Sequence, residues 1–211
     1  MNNLIITSQG ILQKTDDFTL ESKDSQVIYE VLRIIDGIPL FVENHFERLI
    51  NSLHIKGIQM DFDFSEFKRA IHELVKLNRT VVGNVKFEFA ASSNESRWAF
   101  RFIPHSYPSR HEFQNGVSAD LLFAERANPN AKVIQNTVRE KANHMIEELK
   151  LYEVLLVDRD GYITEGSRSN VFFVNGEVFY TAPESKVLVG ITRQKVIECL
   201  RKLNFKLVEK S

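Results

Sequence analysis

The chain has 211 residues, 43% hydrophobic and 26% charged, with a formal net charge of −1. That length accommodates one large domain or two small ones with a sizeable core, and the near-neutral balance gives no basic field for nucleic acid. No apolar run reaches the ~18 residues of a membrane span, and Met1-Asn2-Asn3-Leu4 lacks the basic start of a secretory signal. The first predicted element is a strand over 27–35, where Val27, Tyr29 and Val31 alternate before Asp36-Gly37 breaks the run. Ile38 to Phe41 is the expected return strand. Phe46, Leu49, Ile50 and Leu53 recur at helical spacing, with Asn44 as a plausible N-cap and Arg48 at the edge of the stripe. Phe67, Ala70, Ile71 and Leu74 mark a second helix, with Ser65 near its start. Alternation over 85–91 and 98–102, joined by the polar Ser92 to Ser96, predicts a hairpin. The Pro- and Ser-bearing stretch 104–116 reads as a linker. Alternation resumes at Val117, Ala119, Leu121 and Phe123. Val138, Ala142, Met145, Ile146 and Leu149 form a helical stripe, and strands are expected at 153–158, 162–165, 170–174 and 177–181. A last helix opens at Thr192 with Val196, Ile197, Leu200 and Leu203 buried. The single cysteine, Cys199, has no internal disulfide partner, as in a reducing cytoplasm, and its place in that helix reads as packing. The order is α+β, in two domains, 1–108 and 117–211.

Three features carry candidate chemistry. Gly190-Ile191-Thr192 opens a helix, and a helix N-terminus presents unbonded amides and partial positive charge to a phosphate. Taken alone, Thr192 reads as a simple N-cap, and the phosphate reading gains weight only in combination. Arg48 can fork onto phosphate oxygens, or it can pack its stem on a surface. Glu165 sits beside Gly166 in an otherwise apolar strand region, where a carboxylate must find a partner or protonate. A protonated pyridine nitrogen would satisfy it. His45 has no second His or Cys at a metal-ligand spacing, so no metal site is expected.

In order along the chain, Tyr29-Glu30-Val-Leu-Arg with Asp36-Gly37, His45-Phe-Glu-Arg48-Leu49, the block from Glu153 to Val174 containing Thr164-Glu165-Gly166-Ser167 and Ser169-Asn170, and Leu188-Val-Gly190-Ile191-Thr192-Arg193 resemble the class IV pyridoxal-phosphate enzymes. That family holds branched-chain and D-amino-acid aminotransferases and 4-amino-4-deoxychorismate lyase. The resemblance implies the two-domain class IV fold, either truncated at the C-terminus or in a short variant, because family members usually continue beyond Ser211 with a further strand and helix. It implies pyridoxal 5'-phosphate as cofactor, a homodimer, and transfer of an amino group between an amino acid and a 2-oxo acid. The alternatives are the lyase, which releases pyruvate and 4-aminobenzoate, and a non-catalytic relative of the same fold. By the same resemblance Glu165 pairs with the pyridine nitrogen, and Arg48, Ile191 and Thr192 hold the phosphate. Leu188 packs against the ring, Ser169 and Asn170 lie beside the cofactor, and Tyr29 lines the substrate side. Lys132, just ahead of the helix bearing Val138, fits the Schiff-base lysine better than Lys141, which lies within that helix off its apolar stripe. Burial beside the cofactor would lower the lysine's pKa for attack and proton transfer. The arginine that several members use for the substrate carboxylate is missing from the strand 85–91, leaving Lys86, Arg97 and Arg101 as candidates.

Overall fold

A computed structural model describes residues 4–13, 18–20, 26–91, 95–125 and 136–210. Of these, the residues up to Ser106 form one compact unit and those from Tyr107 onward a second.

The first unit is an antiparallel sheet with two helices on one face. Its strands are β1 (Leu4–Thr7), β2 (Gly10–Gln13), β3 (Gln26–Ile35), β4 (Ile38–Pro39), β5 (Gly83–Ala91) and β6 (Ser96–Ile103), in the order β2-β1-β6-β5-β3-β4. Strand alternation sorts the side chains. One face of β3, β5 and β6 offers Ile28, Leu32, Ile34, Val85, Phe87, Phe89 and Phe100 to the core. Against it lie α1 (Val42–Ile55), through Leu49 and Leu53, and α2 (Phe64–Asn78), through Phe67, Ile71 and Leu74. The Phe67, Phe87 and Phe100 rings meet at centroid separations of 5.3, 5.3 and 4.6 Å, in tilted and edge-on arrangements that aromatic quadrupoles favour. The other face carries Tyr29, Lys86, Glu88 and Arg101, with Tyr29 opposite Glu88 and Lys86 opposite Arg101.

The Asp36-Gly37 break is a tight hairpin turn in which both residues have positive φ, 51° and 76°, the geometry that Asp-Gly pairs supply. The return strand is shorter than expected, because Phe41 already adopts a left-handed conformation as the N-cap of α1. The helix therefore starts at Val42, and Asn44 lies inside its first turn rather than at its cap. The buried stripe is also rotated. It contains His45 and Ser52 beside Leu49 and Leu53, while Ile50 is exposed. Helix α2 starts from Asp63, whose carboxylate accepts from the Glu66 amide while the Glu66 carboxylate accepts from the Asp63 amide, a reciprocal capping box.

The second unit contains α3 (Arg110–Asn115), β7 (Ala119–Phe123), α4 (Asn136–Leu149), β8 (Glu153–Val157), β9 (Ile163–Gly166), β10 (Phe173–Asn175), β11 (Val178–Thr181), a single 3₁₀ turn Glu184–Lys186, α5 (Ile191–Lys202) and β12 (Lys206–Glu209). Strand β8 pairs in parallel with β7 and antiparallel with β9, while β11 pairs antiparallel with β10 and in parallel with β12. On α5 the buried residues are Ile191, Arg193, Ile197 and Leu200. Cys199 and Leu203 are exposed, which overturns their expected role in packing. Among the described residues no helix is long and apolar enough to cross a membrane.

Candidate functional site

Glu165 lies on β9 opposite Leu156 of β8, is 3% exposed, and must therefore be hydrogen-bonded. Its Oε2 accepts from the Leu188 amide at 3.2 Å and from Asn170 Nδ2 at 3.4 Å. Asn170 Nδ2 also donates to the Leu188 carbonyl at 2.9 Å. Both of its partners are acceptors, which fixes the orientation of the amide. Asn170 thus ties the end of the strand pair to the segment that leads into α5. Strand β10 begins at Phe173 and not at residue 170.

Two glycines permit the close approach. A Cβ on Gly190 would stand 2.0 Å from Asn170 Oδ1, and one on Gly166 would stand 2.1 Å from Ser169 Oγ. The turn after Gly166 is pinned by Glu153, the first residue of β8. Its two carboxylate oxygens accept from Ser167 Oγ at 2.7 Å and Ser169 Oγ at 2.8 Å. Ser169 therefore donates its hydroxyl proton to Glu153. Nothing in the sequence linked Glu153 to that turn, since the link exists only once β8 and β9 are paired.

Helix α5 begins two residues beyond Val189. Its N-cap, Gly190, makes no side-chain capping bond, and the first helical bond runs from the Gln194 amide to the Gly190 carbonyl. The amides of Ile191, Thr192 and Arg193 precede that bond and form the positive end of the helix. Thr192 is exposed there. Arg193, on the same turn, is buried, donates to the Ala182 carbonyl at 3.0 Å and to Glu209 at 2.6 Å, and leaves Nε with no partner among the described residues.

Glu165 also lines a cavity of about 220 Å³ with Leu156, Thr164, Asp158, Glu125, Ser185 and Lys186. Asp158, 4% exposed, follows β8. Its Oδ1 accepts from the Asp160 and Tyr162 amides, and its Oδ2 from Lys186 Nζ at 2.7 Å. The Lys186 hydrogen bond, aided by the Tyr162 amide, holds the Asp158 carboxyl below its ordinary range. The same bond raises Lys186. Sequence reasoning passed over both groups, because a lone surface-type lysine gives no signal.

The remaining candidates belong to the first unit, to α4 or to residues outside those described. In the first unit Arg48 donates through Nε and Nη2 to the two oxygens of Glu30, at 2.8 and 2.6 Å. His45 Nδ1 lies 2.8 Å from Glu30 Oε2, and Glu30 itself is fully buried. Arg48 thus stands on the core side of β3. Tyr29 stands on the opposite, polar face, its ring 5.2 Å from Lys86 Nζ. Lys86 and Arg101 both pair with the buried carboxylate of Glu88. Lys132 lies outside the described residues, and Lys141 is exposed on α4. The structure therefore brings Glu165, Asn170, Leu188, Ile191 and Thr192 together, and it keeps Arg48 and Tyr29 in the other unit.

A held carboxylate joined by its own hydrogen bonds to the segment entering a helix suits a ligand with a cationic ring N–H at one end and an anion at the other. The buried Glu165 carboxylate and the amides that open α5 fit a phosphorylated heterocycle. The sequence model of the amino-transferase class IV family matches residues 27–211. The chain is 31% identical over 188 residues to D-alanine aminotransferase of Bacillus licheniformis, covering 81% of this chain and 64% of that one. It is 26% identical over 196 residues to aminodeoxychorismate lyase of Bacillus subtilis strain 168, covering 85% and 66%. The chain thus spans a little under two thirds of the length of these relatives. In structure it is similar to the branched-chain amino acid aminotransferase of Escherichia coli, with a TM-score of 0.85 at 19% identity over 100% of this chain and 78% of that one. It is likewise similar to the PLP-bound form of a hypothetical aminotransferase from Mycobacterium tuberculosis, with a TM-score of 0.79 at 22% identity over 98% and 81%. At these identities the structural likenesses establish the fold.

Proposed function

From the premise that the chain belongs to the amino-transferase class IV family, we propose that it is a pyridoxal 5'-phosphate-dependent aminotransferase, acting between an amino acid and a 2-oxo acid. The observation that carries this reading is the buried Glu165 carboxylate, held by Leu188 and Asn170 on the approach to α5. Glu165 would hold a proton at the ring nitrogen, since a buried carboxylate is stabilised by an adjacent cation. The amides of Ile191 and Thr192 would take the phosphate, as helix N-termini take anions. Arg48, its fork oriented by Glu30, would add a guanidinium to that phosphate, and Leu188 would pack on the ring. Ser169 and Asn170 would border the ring, and Tyr29 would line the substrate side. Lys132 would be the attachment point and, once released, the base that moves the substrate Cα proton. When bound, the cofactor supplies an electron sink, and the protein supplies orientation and the charge that tunes it.

The likeness to aminodeoxychorismate lyase favours a second reading, in which the same groups serve an elimination that releases pyruvate and 4-aminobenzoate. The protein would work as a cytoplasmic homodimer in either case. The test is a visible spectrum with added pyridoxal phosphate, followed by borohydride reduction and peptide mapping. A reduced adduct on Lys132 is expected, and one on Lys141 would displace Lys132 from its role. Amino-acid-dependent formation of a 2-oxo acid, from D-alanine or from branched-chain donors, then marks the transaminase. Pyruvate with 4-aminobenzoate marks the lyase, and no adduct at all marks a non-catalytic relative.

A further inference from the structure

The segment that delivers Leu188 and α5 to Glu165 is short and irregular, and it is held by the Leu188 amide's own bond to Glu165 and by two further fastenings. One is the Asn170 bridge already described. The other is Lys186, which ends the 3₁₀ turn Glu184–Lys186 two residues ahead of Leu188. Its ammonium crosses to the β8–β9 turn, to Asp158 Oδ2 at 2.7 Å and Asp160 Oδ2 at 3.4 Å, and lies 6.0 Å from the Tyr162 ring centre. Asp158 is a rigid anchor. Its side chain is 3% exposed, and Oδ1 is held by the two amides of its own turn. Asp158 follows β8 directly, and β8 is the strand that carries Leu156 opposite Glu165. One ion pair therefore connects the strand pair bearing the carboxylate to the segment bearing the helix N-terminus. Lys186 and Glu165 line the same cavity.

We propose that the Lys186–Asp158 pair is a positioning latch, which sets the α5 N-terminus at the distance from Glu165 that a phosphorylated heterocycle requires. Lys186 touches no reacting atom in this role. It acts by fixing where the phosphate-binding amides stand relative to the ring-nitrogen carboxylate. The geometry favours such a role over simple bracing. A brace needs only an exposed ion pair, which contributes little, whereas here the anchor is buried, bonded through both oxygens and aimed at the one irregular segment between β11 and α5. The inference rests on the reading of Glu165 and α5 as the cofactor site.

A latch of this kind acts on a two-ended ligand and spares a one-ended one. The test is therefore a pair of absorbance titrations, with pyridoxal phosphate and with pyridoxal, on the intact chain and on Lys186→Met, Lys186→Arg, Asp158→Asn and the Lys186→Met/Asp158→Asn double variant. Asp158→Asn keeps the Oδ1 acceptor and removes the charge. Thermal melts of all these proteins run alongside. The expected result is a preference for pyridoxal phosphate over pyridoxal that falls about tenfold in Lys186→Met and Asp158→Asn. Lys186→Arg restores most of it, and the double variant is no worse than either single one, as for two partners in one interaction. An unchanged preference in Lys186→Met, while the intact chain binds pyridoxal phosphate, would overturn the latch alone. Equal weakening of both ligands with a lowered melting midpoint would reduce the pair to a structural brace and overturn it too. An intact chain with no affinity for pyridoxal phosphate would overturn the cofactor reading, and the latch with it.

Discussion

At the scale of single residues, the site is made of side chains that hold one another. Asn170 reaches Glu165 and Leu188 only because position 190 has no Cβ. The backbone of Gly190 has φ −70°, which any residue adopts, so the need for glycine there is one of space. Gly190→Ala must push the Asn170 amide away from a contact at 2.0 Å. Overpacking of this kind costs about 1–3 kcal/mol, which a denaturant titration would detect as a lower midpoint at unchanged slope. The Lys186–Asp158 pair gives a prediction with a defined pH window. Asp158 is depressed by Lys186, so its stabilisation is present above the unfolded-state value of ~3.9 and is lost as pH falls through its lower folded value. Lys186 is raised by Asp158, so its stabilisation is present below ~10.4 and is lost as pH rises through its higher folded value. The stability difference between the intact chain and Lys186→Met should therefore be flat from about pH 4 to pH 10, shrinking on the acid side below that. Urea melts across that range would show it, and a deficit that vanishes near neutral pH would contradict the pair. Glu165, Asn170, Leu188, Ile191 and Thr192 were legible in the sequence because each sits inside one of two compact motif blocks. Glu153, Asp158 and Lys186 were not. Glu153 reaches Ser167 14 positions on, and Asp158 meets Lys186 28 positions on, across strand pairings that no local pattern displays.

At the scale of elements, most periodic segments were readable, and the short strands expected at 153–158, 162–165, 170–174 and 177–181 appear as β8 to β11. The strand 27–35, the hairpin over 85–102 and the helices through 46–53 and 67–74 all appear as β3, β5–β6, α1 and α2, because their apolar spacing repeats often enough to declare a period. Strands β1, β2 and β12, of four residues each, went unread, whereas β9 and β11 of the same length were read because they lie in or beside a motif block. Helix α3 escaped although Ser109 and Glu112 form a capping box. Its Pro- and Ser-bearing surroundings read as linker, and none of its residues is buried. The rotation of α1 has a chemical cause. His45 is drawn inward by Glu30, so a polar residue occupies a buried position that an apolar count assigned to Ile50. The junction of α1, α2 and the sheet rests on the Phe67, Phe87 and Phe100 rings, and Phe67 is 0% exposed. Phe67→Ala removes the ring that touches both others. Its expected cost is about 3–5 kcal/mol, read as a large drop in melting temperature. A cost below about 1 kcal/mol would mean that the helices collapse onto the gap.

At the scale of the whole molecule, the question is what the chain does with its uncovered apolar surface. Most exposed apolar side chains in a folded protein are isolated and carry no message. Strand β7 is different. It is the terminal strand of the β7-β8-β9 sheet, and Leu121 and Phe123, which alternate on one face of it, are both exposed, Phe123 to 75%. A sheet edge that also presents an apolar face is a template for association unless something covers it. It carries no proline, and its one charged residue, Asp120, bonds the next amide along the strand. Phe113, on the preceding helix α3, is 85% exposed as well. The homodimer proposed above would have apolar surface to bury here. Static light scattering of the purified chain should therefore return the mass of two chains at micromolar concentration, falling toward one on dilution if the contact is modest in area. A mass of one chain that holds across the accessible concentration range would show that the apolar face of β7 stays in water, and would remove the physical ground for the dimer.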